Sequence, residues 1–143
     1  MTLMETQKYP AIILADHAQA LGPYPHAKRV GNLIFVSGTS SRRADNTYDG
    51  VVQRPDGSVF LDIAIQTRAV IRNIDKILNA AGADLSHVVD LTTFLVDMKD
   101  FPVYNAVYRE FFDAQTGPTR TTVAVRELPN PHLLIEIKVI AAL

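Results

Sequence analysis

An α+β fold, with a mixed β-sheet covered on one face by two helices, follows from three features of the sequence. Strand-like and helix-like runs are interleaved along the chain, two segments carry apolar residues at helical spacing, and the closing run 133–143 is a strand too apolar for a solvated face. Two helices cover only one side of such a sheet. The apolar last strand therefore predicts that another subunit covers the other. The 143 residues fit one domain, 1–143, with no internal repeat, low-complexity tract or linker.

In chain order, residues 29–38 (RVGNLIFVSG) read as a strand, with Gly31-Asn32 as a turn before it and Gly38 ending it. Residues 40–57 are polar and read as a long loop, or as a short hairpin turning at Asp56-Gly57. A loop that long in so small a domain suggests function. Residues 62–81 form the best helix. Ile63, Thr67, Val70, Ile71, Ile74, Ile77, Leu78 and Ala81 recur at helical spacing, Asp62 is placed to cap the start, and Gly82 to end it. Residues 88–96 (VVDLTTFLV) are β-branched and read as a strand. Asp100 is placed to cap a second helix with Pro102 in its first turn and Val107, Tyr108, Phe111 and Phe112 on its apolar face. Gly117-Pro118 ends it, and 119–126 and 133–143 are two further strands.

Composition narrows the chemistry. Fourteen Lys+Arg against 15 Asp+Glu give a net charge of -1, which offers no electrostatic case for nucleic acid or an anionic membrane surface. With no cysteine, a disulfide scaffold, a Cys-ligated metal and a thiol nucleophile are excluded, and the four histidines show no metal-ligand spacing. The N-terminal Met1-Thr2-Leu3-Met4-Glu5-Thr6 is not a signal peptide. The longest apolar run, interrupted by Glu136 and Lys138, is far short of the roughly 20 residues of a transmembrane helix, so a cytoplasmic protein is expected.

Among residues that could carry chemistry, Arg120 follows Gly117-Pro118-Thr119 and shares a strand face with the small Thr122 and Ala124. Its fork there suits a carboxylate or phosphate; the alternative is a strand-end surface ion pair. Glu136 interrupts an apolar run. Either desolvation raises its pKa and fits it for acid–base work, or it pairs with Lys138 on a solvated face. Gly22-Pro23-Tyr24-Pro25-His26 is a rigid turn presenting a phenol and an imidazole, or simply a packed loop. Arg42 and Arg43 are an anion clamp or a solvated basic loop. His17, His87 and His132 read as surface or cap residues.

Several blocks then fall together: Gly22-Pro23-Tyr24, the run 31–38, Gln66-Thr67-Arg68, Asp100-Phe101 with Asn105-Ala106-Val107-Tyr108 and Phe111-Phe112, Gly117-Pro118-Thr119-Arg120, and Ile135-Glu136-Ile137. In these, from about Leu21 onward, the chain resembles the Rid (YjgF-type) family of imine and enamine deaminases. Within it the segments 22–29, 37–43 and 119–125 are most similar to 2-aminomuconate deaminases. The resemblance implies a chorismate-mutase-like fold and a homotrimer, alone or paired into a hexamer. Its sheets would line an inner barrel, with sites in clefts between subunits. It implies no metal or organic cofactor.

By the same resemblance, Arg120 binds the substrate carboxylate, Glu136 handles water, and Tyr24, Gly38 and Asn105 line the site. Thr122 stands where many general imine deaminases carry a cysteine. The expected substrate is 2-aminomuconate, a dicarboxylate enamine, with Arg42 and Arg43, or His26 with Lys28 or Arg29, meeting its second carboxylate. The alternatives are a general 2-iminobutanoate-type deaminase and a non-catalytic trimeric binding protein.

Overall fold

A computed structural model describes residues 9–143. Residues 1–8, where the sequence argues against a signal peptide, lie outside the described residues. A six-stranded mixed sheet is built from β1 (Ala11–Ile12), β2 (Ala27–Val30), β3 (Leu33–Thr39), β6 (Val88–Leu95), β7 (Thr119–Ala124) and β8 (Ile135–Ala142), in the order β1-β2-β3-β8-β6-β7. A separate hairpin pairs β4 (Val51–Gln53) with β5 (Val59–Leu61) and turns through Asp56-Gly57, the hairpin alternative for the polar segment. Helix α1 (Ile63–Ala80) lies on β3 and β8 beside α2 (Phe101–Tyr108), and both helices occupy the same side of the sheet.

Local chemistry explains most boundaries. Asp62 is extended at the start of α1, where its carboxylate accepts the Ile65 amide at 3.0 Å; Gly82, at φ +82°, ends the helix as the left-handed position requires. The buried stripe of α1 runs through Thr67, Val70, Ile71, Ile74, Ile77 and Leu78, as the periodicity predicts, and adds Gln66. Three expectations are corrected. Helix α2 stops at Tyr108 instead of running to Gly117-Pro118, so Phe111 and Phe112 lie beyond it. The run 29–38 is not one strand: Gly31 at φ +59° and Asn32 join β2 to β3 in a two-residue hairpin, so Arg29 and Val30 pair back onto Ile34 and Leu33. Asp100 does not cap α2. A 3₁₀ turn (Met98–Asp100) runs straight into the helix, which makes Asp100 itself helical, and the cap moves upstream to Asp97, whose carboxylate accepts the Lys99 amide at 2.9 Å.

Strand β7 runs parallel to β6, with α2 as the crossover between them, while every other pair in the sheet is antiparallel. Alternation divides the residues cleanly. Ile135, Ile137, Val139 and Ala141 of β8, with Leu91, Thr93 and Leu95 of β6, are buried under the helices. Glu136, Lys138, Ile140 and Ala142 face the other way, and on that helix-free face Leu33, Phe35 and Val123 are exposed apolar residues.

Candidate active site

Arg120 lies on the helix side of the sheet. It pairs across β6 with Leu91, and Thr122 with Thr93, so both point toward α2, as strand alternation predicts. The guanidinium sits over three rings of that helix: 4.7 Å from the Tyr108 centroid, 5.1 Å from Tyr104 and 5.7 Å from Phe101. Such stacking holds the planar cation by its face and leaves its in-plane N–H fork for an anion. Among the described residues Arg120 has no carboxylate partner, which rules against the surface ion pair. Burial, with Tyr104 beside it, pushes the Tyr108 phenol up to about 12, so it remains protonated beneath the cation. An open pocket of about 610 Å³ is lined by Arg120, Asn105, Tyr108, Arg109, Phe112 and Asp113. The Thr122 hydroxyl is buried on the same face without a hydrogen-bond partner among the described residues.

The aromatic ladder under Arg120 is the feature that sequence reasoning missed. Tyr104, Tyr108 and Phe112 recur every four residues, with ring centroids 5.8 and 4.8 Å apart. That i, i+4, i+8 spacing was available as a signal. Tyr104 is fully buried, and its phenol hydrogen-bonds to the Thr93 hydroxyl, fixing the ladder to the sheet.

Glu136 stands on the opposite, helix-free face. It pairs with Phe94, three residues along β6 from the Leu91 that pairs with Arg120. An odd separation reverses the side-chain direction. With about 3.3 Å per residue along a strand and about 4.8 Å between strands, the two backbones are also well over 10 Å apart. Across β3 the register slips: Val36 faces Val139 but Thr39 faces Ile137, so one extra residue bulges at Ser37-Gly38. The Glu136 carboxylate fills the space this leaves. A Cβ on Gly38 would sit only 2.7 Å from Glu136 Oε1. Burial raises the Glu136 pKa above the ordinary carboxylate value, and the side chain forms no ion pair with Lys138.

Tyr24, His26, Gly38 and Arg42 are brought together around a second, narrow cavity of about 60 Å³, which His17, Ser37 and Ser40 also line. Tyr24 is exposed. His26, expected as a possible substrate contact, is saturated by backbone: Nδ1 accepts the Leu14 amide at 3.1 Å, so Nε2–H donates to the Ala18 carbonyl at 2.7 Å. Its imidazole pins the loop 13–19 rather than presenting a free donor. His17 is buried, not a surface residue. Desolvation first, then the neighbouring His26, lower its pKa to about 4, so it is neutral.

The two arginines of the long loop are likewise engaged. Arg43 donates to Asp49 Oδ1 at 2.6 and 3.1 Å and to the Thr47 hydroxyl at 2.8 Å, which makes it a brace of its own loop. Arg42 reaches the cavity while donating to Asn46 Oδ1 at 2.7 Å and to the Gln19 carbonyl. Asn105 joins Arg120, whereas Tyr24, Gly38 and Glu136 do not. The expected site residues thus form two groups within one chain. Among the described residues, no cluster of three or more His, Asp or Glu is placed to hold a metal, and no helix is long and apolar enough to cross a membrane.

Comparison with known proteins gives the same lineage throughout. The family model described as Endoribonuclease L-PSP matches residues 15–143. The chain is 38% identical to a RutC family protein of Pyrococcus horikoshii over 91% of this chain and 95% of that one. It is 36% identical to Reactive Intermediate Deaminase A, chloroplastic, of Arabidopsis thaliana, over 99% of this chain and 65% of that one. Among solved structures, Escherichia coli TdcF with bound serine superposes with a TM-score of 0.75 at 30% identity, over 92% of this chain and 97% of that one. Matched across nearly its whole described length, with the same two-helix-on-sheet fold, the chain belongs to the L-PSP (YjgF/Rid) family.

Proposed function

We propose that this protein is a hydrolytic deaminase acting on 2-aminomuconate through its imine tautomer, at sites shared between subunits of a homotrimer. The observation that carries the reading is a pair of groups with no ion-pair partner among the described residues: a guanidinium stacked on aromatic rings, and a desolvated carboxylate seated over a glycine bulge. Arg120 binds the carboxylate beside the imine carbon. Glu136 takes a proton from water as the oxygen adds to that carbon. It passes that proton to the imine nitrogen, then takes the hydroxyl proton of the tetrahedral adduct and delivers it to the amine as the C–N bond breaks, leaving 2-oxohex-3-enedioate and ammonia. A raised carboxyl pKa suits both transfers, and one positioned acid–base group supplies about 10²- to 10⁴-fold, ample for a bond as labile as an imine. Asn105 lines the Arg120 half, with the Thr122 hydroxyl buried on the same strand face; Gly38 abuts Glu136 and shares a cavity with Tyr24.

Arg120 and Glu136 point to opposite faces of one sheet, so a site containing both needs two copies of the chain. The exposed Leu33, Phe35 and Val123 give the helix-free face reason to be covered by such a copy. The family model's name points to RNA, but a net charge of -1 offers little to a phosphate backbone and favours a small substrate. The name of the Arabidopsis relative favours a second reading, a general imine deaminase.

One assay addresses all three points: ammonia release from 2-aminomuconate and from 2-iminobutanoate generated in situ, on wild type and on co-refolded mixtures of Arg120→Ala and Glu136→Gln chains. Each variant alone should be slowed by at least about 10²-fold. In a head-to-tail ring, random mixing restores an intact pair at about a quarter of the interfaces, so activity should return to about that fraction. No recovery refutes the shared site, and faster turnover of the monocarboxylate imine favours the general deaminase.

A further inference from the structure

We propose that Arg109 is a second carboxylate anchor in the Arg120 pocket and makes that pocket selective for dicarboxylates. The inference rests on the reading of Arg120 as the substrate anchor and adds to it a residue that the sequence did not single out.

Arg109 follows α2 directly, and its amide closes on the Asn105 carbonyl at 3.1 Å, one turn back. Asn105 and Arg109 are therefore neighbours on one helical face, and both line the pocket that holds Arg120. The acids around Arg109 are committed elsewhere. Glu110 is paired with Arg68 at 2.8 Å, and neither lines the pocket. Asp113, which also borders the pocket, accepts the amides of Gln115 and Thr116 at 2.8 and 2.9 Å and the Thr116 hydroxyl at 3.0 Å. Those bonds hold its pKa below the ordinary value and its charge in place, so it remains an anion at the pocket's edge. Arg109 itself has no ion pair among the described residues.

Two guanidinium groups without carboxylate partners thus border one cavity. A volume of about 610 Å³ corresponds to a space on the order of 10 Å across, within the ordinary range for ligand sites. An extended six-carbon diacid, with carbon–carbon bonds of about 1.5 Å, spans on the order of 6 Å between its carboxyl carbons and fits that space. A ligand with one carboxylate leaves the second guanidinium unused; a diacid satisfies both. The arginines expected for this role fit it less well, since Arg43 is held by Asp49 and Thr47, and Arg42 lines the other cavity.

The test is calorimetric titration of adipate and hexanoate, equal in length, into wild type, Arg109→Ala, Arg109→Lys and Arg120→Ala at low ionic strength. Sedimentation of each variant accompanies it. Wild type should prefer adipate, and Arg109→Ala should cut the adipate-to-hexanoate affinity ratio by about 10- to 150-fold, the worth of one charge-assisted contact. Arg109→Lys should keep part of the preference. The inference is overturned by a wild type with no preference, by an Arg109→Ala ratio equal to wild type, or by an Arg109→Ala protein of altered assembly mass. If Arg120→Ala abolishes binding of both acids while the Arg109→Ala ratio holds, Arg120 remains the anchor and only Arg109 falls. If Arg120→Ala binds both as wild type does, the underlying reading of the pocket fails instead.

Discussion

Replacing Gly38 by alanine separates the catalytic reading from a structural one. The new Cβ would stand 2.7 Å from Glu136 Oε1, and ordinary contact begins at 3.4 Å, so the carboxylate must retreat by about 0.7 Å. Nothing else opposes the substitution: Gly38 does not adopt positive φ, is exposed, and meets only the far end of a flexible side chain. Stability should change by less than about 1 kcal/mol, as for a surface position without backbone strain. Catalysis is less tolerant. A misplacement near 1 Å costs up to about 10²-fold, so kcat should fall by about 10- to 100-fold while the melting temperature barely moves. The measurement is ammonia release from 2-aminomuconate on Gly38→Ala, Glu136→Gln and the double variant. If alanine acts only by displacing the carboxylate, the double variant is no slower than Glu136→Gln alone. A further loss in the double variant would refute that route and assign Gly38 a contact of its own, such as close approach of its backbone to the substrate.

Two further predictions concern stability. His17 is held neutral with a pKa near 4 against an ordinary 6.5, so the unfolded chain binds the extra proton between those values. Stability should be full above pH 6.5 and fall by up to about 3 kcal/mol as pH drops toward 4. The difference between wild type and His17→Gln in urea titrations at pH 7 and pH 4 reads this directly, and equal pH slopes would contradict it. Gln66, fully buried, donates to the His132 carbonyl and accepts the Leu134 amide, each at 2.9 Å. Gln66→Leu strands both partners and should cost about 3 kcal/mol in chemical denaturation; a loss under about 1 kcal/mol would mean that water replaces the amide.

The first helix was legible because local rules determine it. The apolar stripe of α1, its Asp62 cap and its Gly82 terminus are each settled by a few neighbouring residues. The β2–β3 hairpin was harder, since Gly31-Asn32 reads equally as an entry turn or as the loop that joins two strands. Side-chain commitments were not legible at all. His26 and Arg43 look like free donors in sequence. Only the folded chain brings the Leu14 amide and Ala18 carbonyl to one and Asp49 to the other. Arg109 shows the converse: an ordinary exposed arginine becomes interesting only because Asp113 and Glu110 turn out to be engaged elsewhere.

The strand register decides how the site can be assembled. Alternation along β7 and β8 taken separately shows which residues share a face within each strand, but not which faces coincide; that depends on how both strands register against β6. Arg120 falls opposite Leu91 and Glu136 opposite Phe94, an odd offset, so the sheet itself lies between them. A shift of a single residue in either pairing would reverse that relation. It would also turn a buried apolar set such as Ile135, Ile137 and Val139 out of the core, a cost that locks the register. The core packing that folds one chain is therefore what keeps its arginine and its glutamate apart. If both act on one substrate, covering the exposed Leu33, Phe35 and Val123 with another subunit and completing the catalytic pair are the same event.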